Sequence, residues 1–367
     1  MNTGKSVSAD RSGTGKYINM LTELLWKARA PVVLSGLVLL AFLSLFVGPV
    51  RLPLDSVTSI LLKQLPFLGP NLDPTYTPAQ YEIVLFIQEP AVIAAIIVGA
   101  TLAVGGVSVQ GIFRNPITEP YIIGISSGAA LGAVMTLSST FLSNDAGIFS
   151  LQVNAFLFSL IVVYVTYFTS FRRGSVPVTY LLLTGIAISI FVSSIVAFII
   201  YTNIRLQSEV FFWLMGSLQN VGWIDIILVG GVSAACLLLI MFLAPELDAI
   251  QMGEDYASSL GVRVELYKIT LLSLVALSVS ACVSITGLIG FVGLIIPHIA
   301  RMLFGGSGRK MIPWAAILGA LFLLVANDLA NTIDGEVVIP IGIITGIIGV
   351  PFFMALMYKL STGGYNA

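Results

Sequence analysis

Few side chains in this 367-residue sequence have the types and spacing that catalysis or metal binding needs. His298 is the only histidine, and no cysteine, aspartate or glutamate lies near it to complete a metal site. Cys236 and Cys282 lie far apart in apolar runs, where thiols usually serve as packing groups. The sequence contains no HExxH and no evident pair of nucleophile and base. We therefore predict that the chain is not an enzyme and binds no metal or cofactor.

The charged side chains indicate a contact surface instead, because they concentrate in one stretch. Residues 244–268, APELDAIQMGEDYASSLGVRVELYK, contain Glu246, Asp248, Glu254, Asp255, Arg263, Glu265 and Lys268. The flanking residues 226–243 and 269–285 contain no charge at all. Charged side chains are costly inside a bilayer, so this stretch is predicted to lie outside it.

Turn-forming residues divide this stretch into two predicted short helices. Pro245 suits a first helical position and Gly253 breaks the pattern. Glu254 and Asp255 favour the start of a second helix, which Gly261 ends. The apolar residues on these helices could fold back on the chain, as in a plain connector, or form a surface for a partner. They are Leu247, Ile250, Met252, Tyr256, Ala257 and Leu260.

The composition is that of an all-α polytopic membrane protein. Hydrophobic residues make up 57% of the chain and charged residues 10%, and the mean hydropathy is +1.01. A spanning helix needs about 20 apolar residues, so about ten transmembrane helices are predicted. They lie near residues 31–49, 90–109, 121–141, 152–170, 178–201, 223–243, 267–285, 287–303, 312–330 and 338–358.

The distribution of basic residues predicts the orientation of these helices. With a cytoplasmic N-terminus, only three of the 17 lysines and arginines fall outside, namely Arg51, Lys63 and Arg205. No cleavable signal is apparent in the polar, basic first 30 residues. We therefore expect cytoplasmic tails at residues 1–30 and 361–367, with one transmembrane permease domain at 31–360. The net charge of −1 and the absence of a basic run give no indication of nucleic-acid binding.

Four stretches, in chain order, resemble the iron-chelate, haem and vitamin B12 (FecCD-type) permease family of ATP-driven importers. They are GIFRNPITEPYIIGISSGAALGA from residue 111, LDAIQMGEDYASSLGV from 247, TGLIGFVGLIIPHIARMLFG from 286 and IPIGIITGIIGVPFFMALM from 339. The residues at the family's motif positions are Asn115, Pro116, Pro120, Gly124, Ser127, Gly128, Gly290, Gly293, Pro297, His298 and Arg301. The resemblance implies a type II ABC importer permease fold with inverted repeats in spans two to five and seven to ten.

Two prolines in these motifs have predictable local effects. Asn115-Pro116 is a turn signal that should end the second span. Pro297 should free a backbone carbonyl about one turn earlier and kink its helix. His298 is expected to cap or pack the cytoplasmic end of that helix beside Arg301.

The resemblance also implies partners on the cytoplasmic side. In this family the segment matching residues 244–266 sits in a groove of an ATPase subunit. An ABC ATPase dimer would therefore hydrolyse ATP, with ATP and Mg bound there and not by this chain. The residues implied in coupling to the ATPase are Leu247, Asp248, Ile250, Met252, Gly253, Glu254, Ala257, Leu260 and Gly261.

By the same resemblance, the protein is a homodimer in the cell membrane with a pathway along the dimer axis. Residues 177–201, 205–217 and parts of 338–357 would line the pathway. The inner gate of the family lies just before the fifth span, which makes Pro177, Val178 and Thr179 the gate candidates.

The outer surface departs from the family's pattern. Relatives often carry outward arginines that receive acidic residues of the extracytoplasmic binding protein. Here Gln88, Ala91 and Asn331 stand at those positions, and most charged residues on the predicted outer side are acidic. Charge complementarity therefore predicts a binding protein with basic or neutral tips, although acidic outer loops could also be a general bias. The docking candidates are Glu82, Glu89, Asn331 and Glu336.

The family carries ferric siderophores, haem or cobalamin, and in some members molybdate or tungstate, and family frequency favours a ferric chelate. The main alternative is an ion- or proton-coupled secondary transporter of a small polar solute. That function would need ionisable residues near the middle of the bilayer. The predicted spans contain almost none, since Asp328 and Glu89 are placed near the outer ends.

Overall fold

Helices form nearly all of the regular structure in the computed structural model, which describes residues 31–50, 52–64, 75–138, 147–172, 174–333 and 338–362. In chain order they are α1 Pro31–Ser44, α2 Leu54–Lys63, α3 Pro78–Ile83, α4 Glu89–Phe113, α5 Ile125–Ser138, α6 Gly147–Ser170, α7 Val178–Thr202, α8 Gln207–Met215, α9 Trp223–Phe242, α10 Ala244–Met252, α11 Glu254–Ser259, α12 Val264–Thr286, α13 Val292–Phe304, α14 Gly308–Thr332 and α15 Ile341–Thr362.

The apolar helices match the predicted spans in number and order. Within the described ranges, six helical stretches are long and apolar enough to cross a membrane. Shorter apolar helices, α1, α5, α13 and α15, occupy the other predicted positions. The predicted all-α membrane architecture is therefore confirmed, with boundaries that differ where the backbone is not helical.

Helix α4 forms the centre of the bundle, and its glycines allow the closest helix contacts. Gly99 lies directly against Gly319 of α14, and Gly106 lies against the backbone of Gly293 in α13. A Cβ atom at either α4 position would collide with a backbone carbonyl of the neighbouring helix. Small residues at such crossings let helices pack at short distance inside a membrane, where apolar burial supplies little driving force.

The chain turns back into the bundle after α4. The helix ends at Phe113, and Arg114 adopts a left-handed φ of +48° just before Asn115-Pro116, as the turn signal predicts. Pro120 then lies beside Gly105. Gly105 is eight residues before the end of α4, or about 12 Å along its axis at 1.5 Å per residue. The third span therefore begins inside the bundle as a 3-10 turn, Pro120–Ile123, and not at its edge.

A second non-helical segment enters from the opposite end of the bundle. Helix α12 ends at Thr286, and α13 begins only at Val292. The prediction of a helix from residue 287 was therefore wrong by five residues. Glycines 287 and 290 and the left-handed φ of +69° at Phe291 explain why this apolar stretch is not helical.

These two segments satisfy each other's backbone groups. The Phe291 amide donates to Glu119 Oε1 over 2.9 Å, and the Tyr121 hydroxyl donates to the Ile289 carbonyl over 3.0 Å. Non-helical backbone is tolerated at membrane depth only when the protein itself satisfies it. Two of the stretches that resemble the importer permeases are thus in direct contact.

The carbonyl freed by Pro297 has a definite partner. Pro297 cannot donate to Gly293, four residues earlier, and the Gln110 side-chain amide donates to that carbonyl over 3.3 Å. The same amide nitrogen reaches the carbonyls of Leu294 and Thr118, each over 3.3 Å. Gln110 therefore joins α4, the turn after it and α13. The kink at Pro297 stays a prediction.

We predict that Gly99→Ala lowers the thermal stability of the purified protein in detergent, because the new methyl group would collide with Gly319. Overpacking of this kind costs about 1–3 kcal/mol. Gly231→Ala is the matched control, since a Cβ atom there meets nothing within 4 Å. Equal melting temperatures for the two variants would contradict the close α4–α14 contact.

Candidate coupling site

The polar stretch between α9 and α12 folds into two short helices, α10 and α11, as predicted. Gly253, between them, has a φ of +138°, and Gly261, after α11, has a φ of +87°. Side chains rarely adopt such positive values, so glycine suits both breaks. We call residues 244–261 the coupling segment.

One face of the coupling segment is buried against its own chain. Leu247, Ile250 and Ala257 are fully buried, and Leu247 packs against Gly111 near the C-terminal end of α4. The plain-connector interpretation is therefore correct for these three residues. Leu247 thereby anchors the segment to the central helix.

The other face presents apolar side chains to the surroundings. Met252 is 71% exposed, Leu260 60% and Tyr256 46%. Large apolar side chains grouped at the surface typically mark a protein contact. The apolar residues of the coupling segment thus divide into an internal anchor and an open surface, which we call the open face.

Asp248 fixes the coupling segment to α14. Its Oδ1 accepts a 2.6 Å hydrogen bond from the Gly308 amide, and its Oδ2 accepts one from the Ser307 hydroxyl over 3.2 Å. Ser307 and Gly308 form the start of α14. A carboxylate at a helix N-terminus satisfies a free amide and interacts favourably with the helix dipole.

Lys268 lies at the base of the site, although the sequence analysis treated it only as a charge. Its side chain is almost completely buried, and Nζ donates to Glu254 Oε2 over 2.8 Å and to Glu265 Oε1 over 3.0 Å. A third hydrogen bond, over 3.2 Å, reaches the Val176 carbonyl. The spacing of Glu265 and Lys268, three residues apart on one helix, was the only local sequence signal for this pairing.

The gate candidates come directly after Val176, the residue whose carbonyl binds Lys268. The Val176 amide donates to Glu265 Oε2 over 2.9 Å, so both backbone polar groups of Val176 are bound by the cluster. Pro177 is the N-cap of α7 and Val178 its first residue. Thr179 is exposed in the single chain. The structure therefore brings the coupling and gate candidates together through a residue that sequence reasoning missed.

Helix α7 has an open apolar surface. Phe198 is 67% exposed, Ile190 63% and Leu183 58%. Lipid or a second protein chain would cover such a surface in a membrane.

The docking candidates occupy different environments. Glu82 is exposed, whereas Asn331 Oδ1 accepts a 3.0 Å hydrogen bond from Gln219 Nε2. Glu336 lies outside the described residues. Glu89 is only 9% exposed, and its Oε1 accepts a hydrogen bond from the Gln64 amide. Because Glu89 is buried eleven residues into the continuous helical stretch from Pro78 to Phe113, it is not presented for docking.

The remaining motif residues serve local packing. Asn115 Oδ1 accepts from the Ile117 amide over 3.1 Å and closes the turn. Ser127 donates to the Gly124 carbonyl, and Gly128 lies against the backbone of Phe158 in α6. His298 and Arg301, both half-buried, lie in the last two turns of α13. Cys236 and Cys282 are buried, which is consistent with packing thiols.

We predict that Asp248→Ala lowers the stability of the purified protein by about 0.5–2 kcal/mol, the usual cost of a lost helix cap. Asp248→Asn should retain most of the stability, since asparagine also caps helices. Asp255→Ala, which removes an exposed carboxylate from the next helix, is the control. Thermal unfolding that is the same for Asp248→Ala and Asp255→Ala would argue against the cap.

Comparisons with known proteins agree on one family. The model of the FecCD transport family matches residues 36–359. The hemin transport system permease protein HmuU of Yersinia pestis is 37% identical over 77% of this chain and 84% of its own length. The molybdate import system permease protein MolB of Haemophilus influenzae is 33% identical over 92% of this chain and 98% of its own. A solved metal-chelate type ABC transporter in an inward-facing conformation matches with a TM-score of 0.74 and 30% identity, covering 90% of this chain and 99% of that one.

Proposed function

The chain belongs to the FecCD transport family, as an ABC importer permease of the cell membrane, and we propose that it moves a metal chelate into the cytoplasm. In this proposal a separate ABC ATPase supplies the energy and an extracytoplasmic binding protein delivers the cargo. The observation that carries the proposal is the open face of the coupling segment, which is exposed although the rest of the segment is anchored.

The open face suits an ATPase groove for a physical reason. Met252, Tyr256 and Leu260 together offer an apolar contact that becomes favourable when water is excluded from it. Leu247, Ile250 and the Asp248 cap hold the segment to α4 and α14, so a force applied to the open face would reach the bundle. This division supports a role in which a partner docks on the open face and the buried face transmits the force to the bundle.

The transport pathway is proposed to run between two copies of this chain. The exposed apolar surface of α7 supports this arrangement, since a second copy could cover part of it. Thr179, exposed at the first turn of α7, would then face its counterpart near the cytoplasmic end of the pathway. Together with Pro177 and Val178 it would form the inner gate.

The binding protein is proposed to present basic or neutral tips. Without Glu89, this proposal rests on exposed acids such as Asp55, Glu82 and Glu209, which lie on the predicted outer side. Electrostatic complementarity of this kind mainly sets the rate and specificity of docking.

For the cargo we propose a ferric chelate, with molybdate as the second candidate. Relatives named for hemin and for molybdate are similarly identical to this chain, at 37% and 33%. Uptake of iron-55 and molybdenum-99 into cells with and without the gene would separate the two.

We predict that Leu260→Glu weakens ATPase binding about ten- to hundredfold, because burying a leucine contributes about 1.5–3 kcal/mol. Co-purification from mild detergent measures the effect. Leu54→Glu, at a 69% exposed position on the predicted outer side, is the control and should retain the ATPase. Full ATPase recovery with Leu260→Glu would show that the docking surface is misplaced.

We also predict that Thr179→Trp slows ATP-driven uptake while the ATPase still co-purifies, because the large ring would obstruct a narrow gate. Thr202→Trp, exposed at the other end of α7, is the matched control. If both variants transport at the rate of the unmodified chain, Thr179 is not at the gate.

A further inference from the structure

The buried ammonium of Lys268 has one acceptor for each of its three protons. Glu254, Glu265 and the Val176 carbonyl accept at 2.8, 3.0 and 3.2 Å. An ammonium removed from water must be fully compensated in this way. Lys268 is therefore held in one position by three different parts of the chain.

The three acceptors connect elements with different proposed roles. Glu254 is the first residue of α11, which carries part of the open face. Val176 immediately precedes Pro177 and α7, which carry the gate candidates. Glu265 belongs to α12 together with Lys268 and also accepts from the Val176 amide. A displacement of α11 would thus act on Val176 through a single side chain.

The region between α11 and the start of α12 is open near the surface. A cleft of about 420 Å³ lies between them, lined by residues that include Glu254, Asp255, Arg263 and Glu265. The side chains of Glu254 and Glu265 are 31% and 32% exposed, so their carboxylates border this opening. Arg114 approaches Glu254 only to 3.9 Å, at the long limit of an ion pair. The Lys268 bonds are therefore the short polar link across the cleft.

We propose that Lys268 is a positioning residue that transmits ATPase-driven movement of the coupling segment to the inner gate. Movement of α11 carries the Glu254 carboxylate, and Lys268 follows because its ammonium cannot remain buried without that partner. Lys268 and Glu265 then shift the backbone of Val176 and the first turn of α7. This inference rests on the proposed importer function.

The test uses the complex of this chain with its ATPase in lipid nanodiscs. A bimane fluorophore on Thr179→Cys reports the polarity around the gate, and labelled chain without that cysteine corrects for reaction at Cys236 and Cys282. Mg-ATP with vanadate traps the closed ATPase. The emission shift on trapping is the measured quantity, so no cargo is needed.

We expect Glu254→Gln to lose most of the emission shift when samples are compared at equal amounts of bound ATPase and trapped nucleotide. The amide keeps the size of the side chain and removes its charge. Asp255→Asn, which removes the neighbouring exposed charge, should retain the full shift. Lys268→Met should lose the shift as well, and Lys268→Arg should restore part of it, which a purely structural role would not produce.

Two results would overturn the inference while leaving the importer function intact. One is a full shift in Glu254→Gln, and the other is an equal loss in Glu254→Gln and Asp255→Asn. If the unmodified chain binds no ATPase or gives no shift on trapping, the proposed function fails, and the inference fails with it.

Discussion

The close approach of α4 to its neighbours is the constraint on which the rest of the structure depends. Gly99 and Gly106 let α14 and α13 reach the α4 backbone. Gln110, on the same helix, satisfies the carbonyl that Pro297 leaves free. Gly111, near the end of α4, receives Leu247 of the coupling segment. The central helix thus contacts both the non-helical segments inside the bundle and the coupling segment.

This arrangement explains how one short segment can bind a partner and also belong to the core. One side of α10 and α11 is buried and apolar, and Asp248 joins α10 to the start of α14. The exposed side is free to bind because the segment's own fold does not require it. The Lys268 side chain joins this surface to the residue before α7, through its ion pair with Glu254 and its hydrogen bond to the Val176 carbonyl. If an ABC ATPase binds this surface, as proposed, its contact would reach the start of α7 through these bonds.

Much of this fold could be predicted from local chemistry. The spans follow from apolar length, the turn after Phe113 from Asn115-Pro116, and the two short helices from Gly253 and Gly261. The starts of α5 and α13 were placed too early, because residues 120–124 and 287–291 are mostly apolar. Glycines in both stretches favour a break, and hydrogen bonds between the two segments fix its position. The burial of Lys268 and Glu89 could not be predicted from the sequence, because their partners Val176 and Gln64 are distant in the chain.

The central claim is that an ABC ATPase binds the open face of the coupling segment, and photo-crosslinking in native membranes tests it most directly. A photoreactive amino acid would replace Met252, with Leu54 as the control position. After irradiation, mass spectrometry identifies the joined protein. The account predicts a crosslink from position 252 to an ABC ATPase and none from position 54. Crosslinks from position 252 that reach only this chain, in membranes that contain the ATPase, would contradict it.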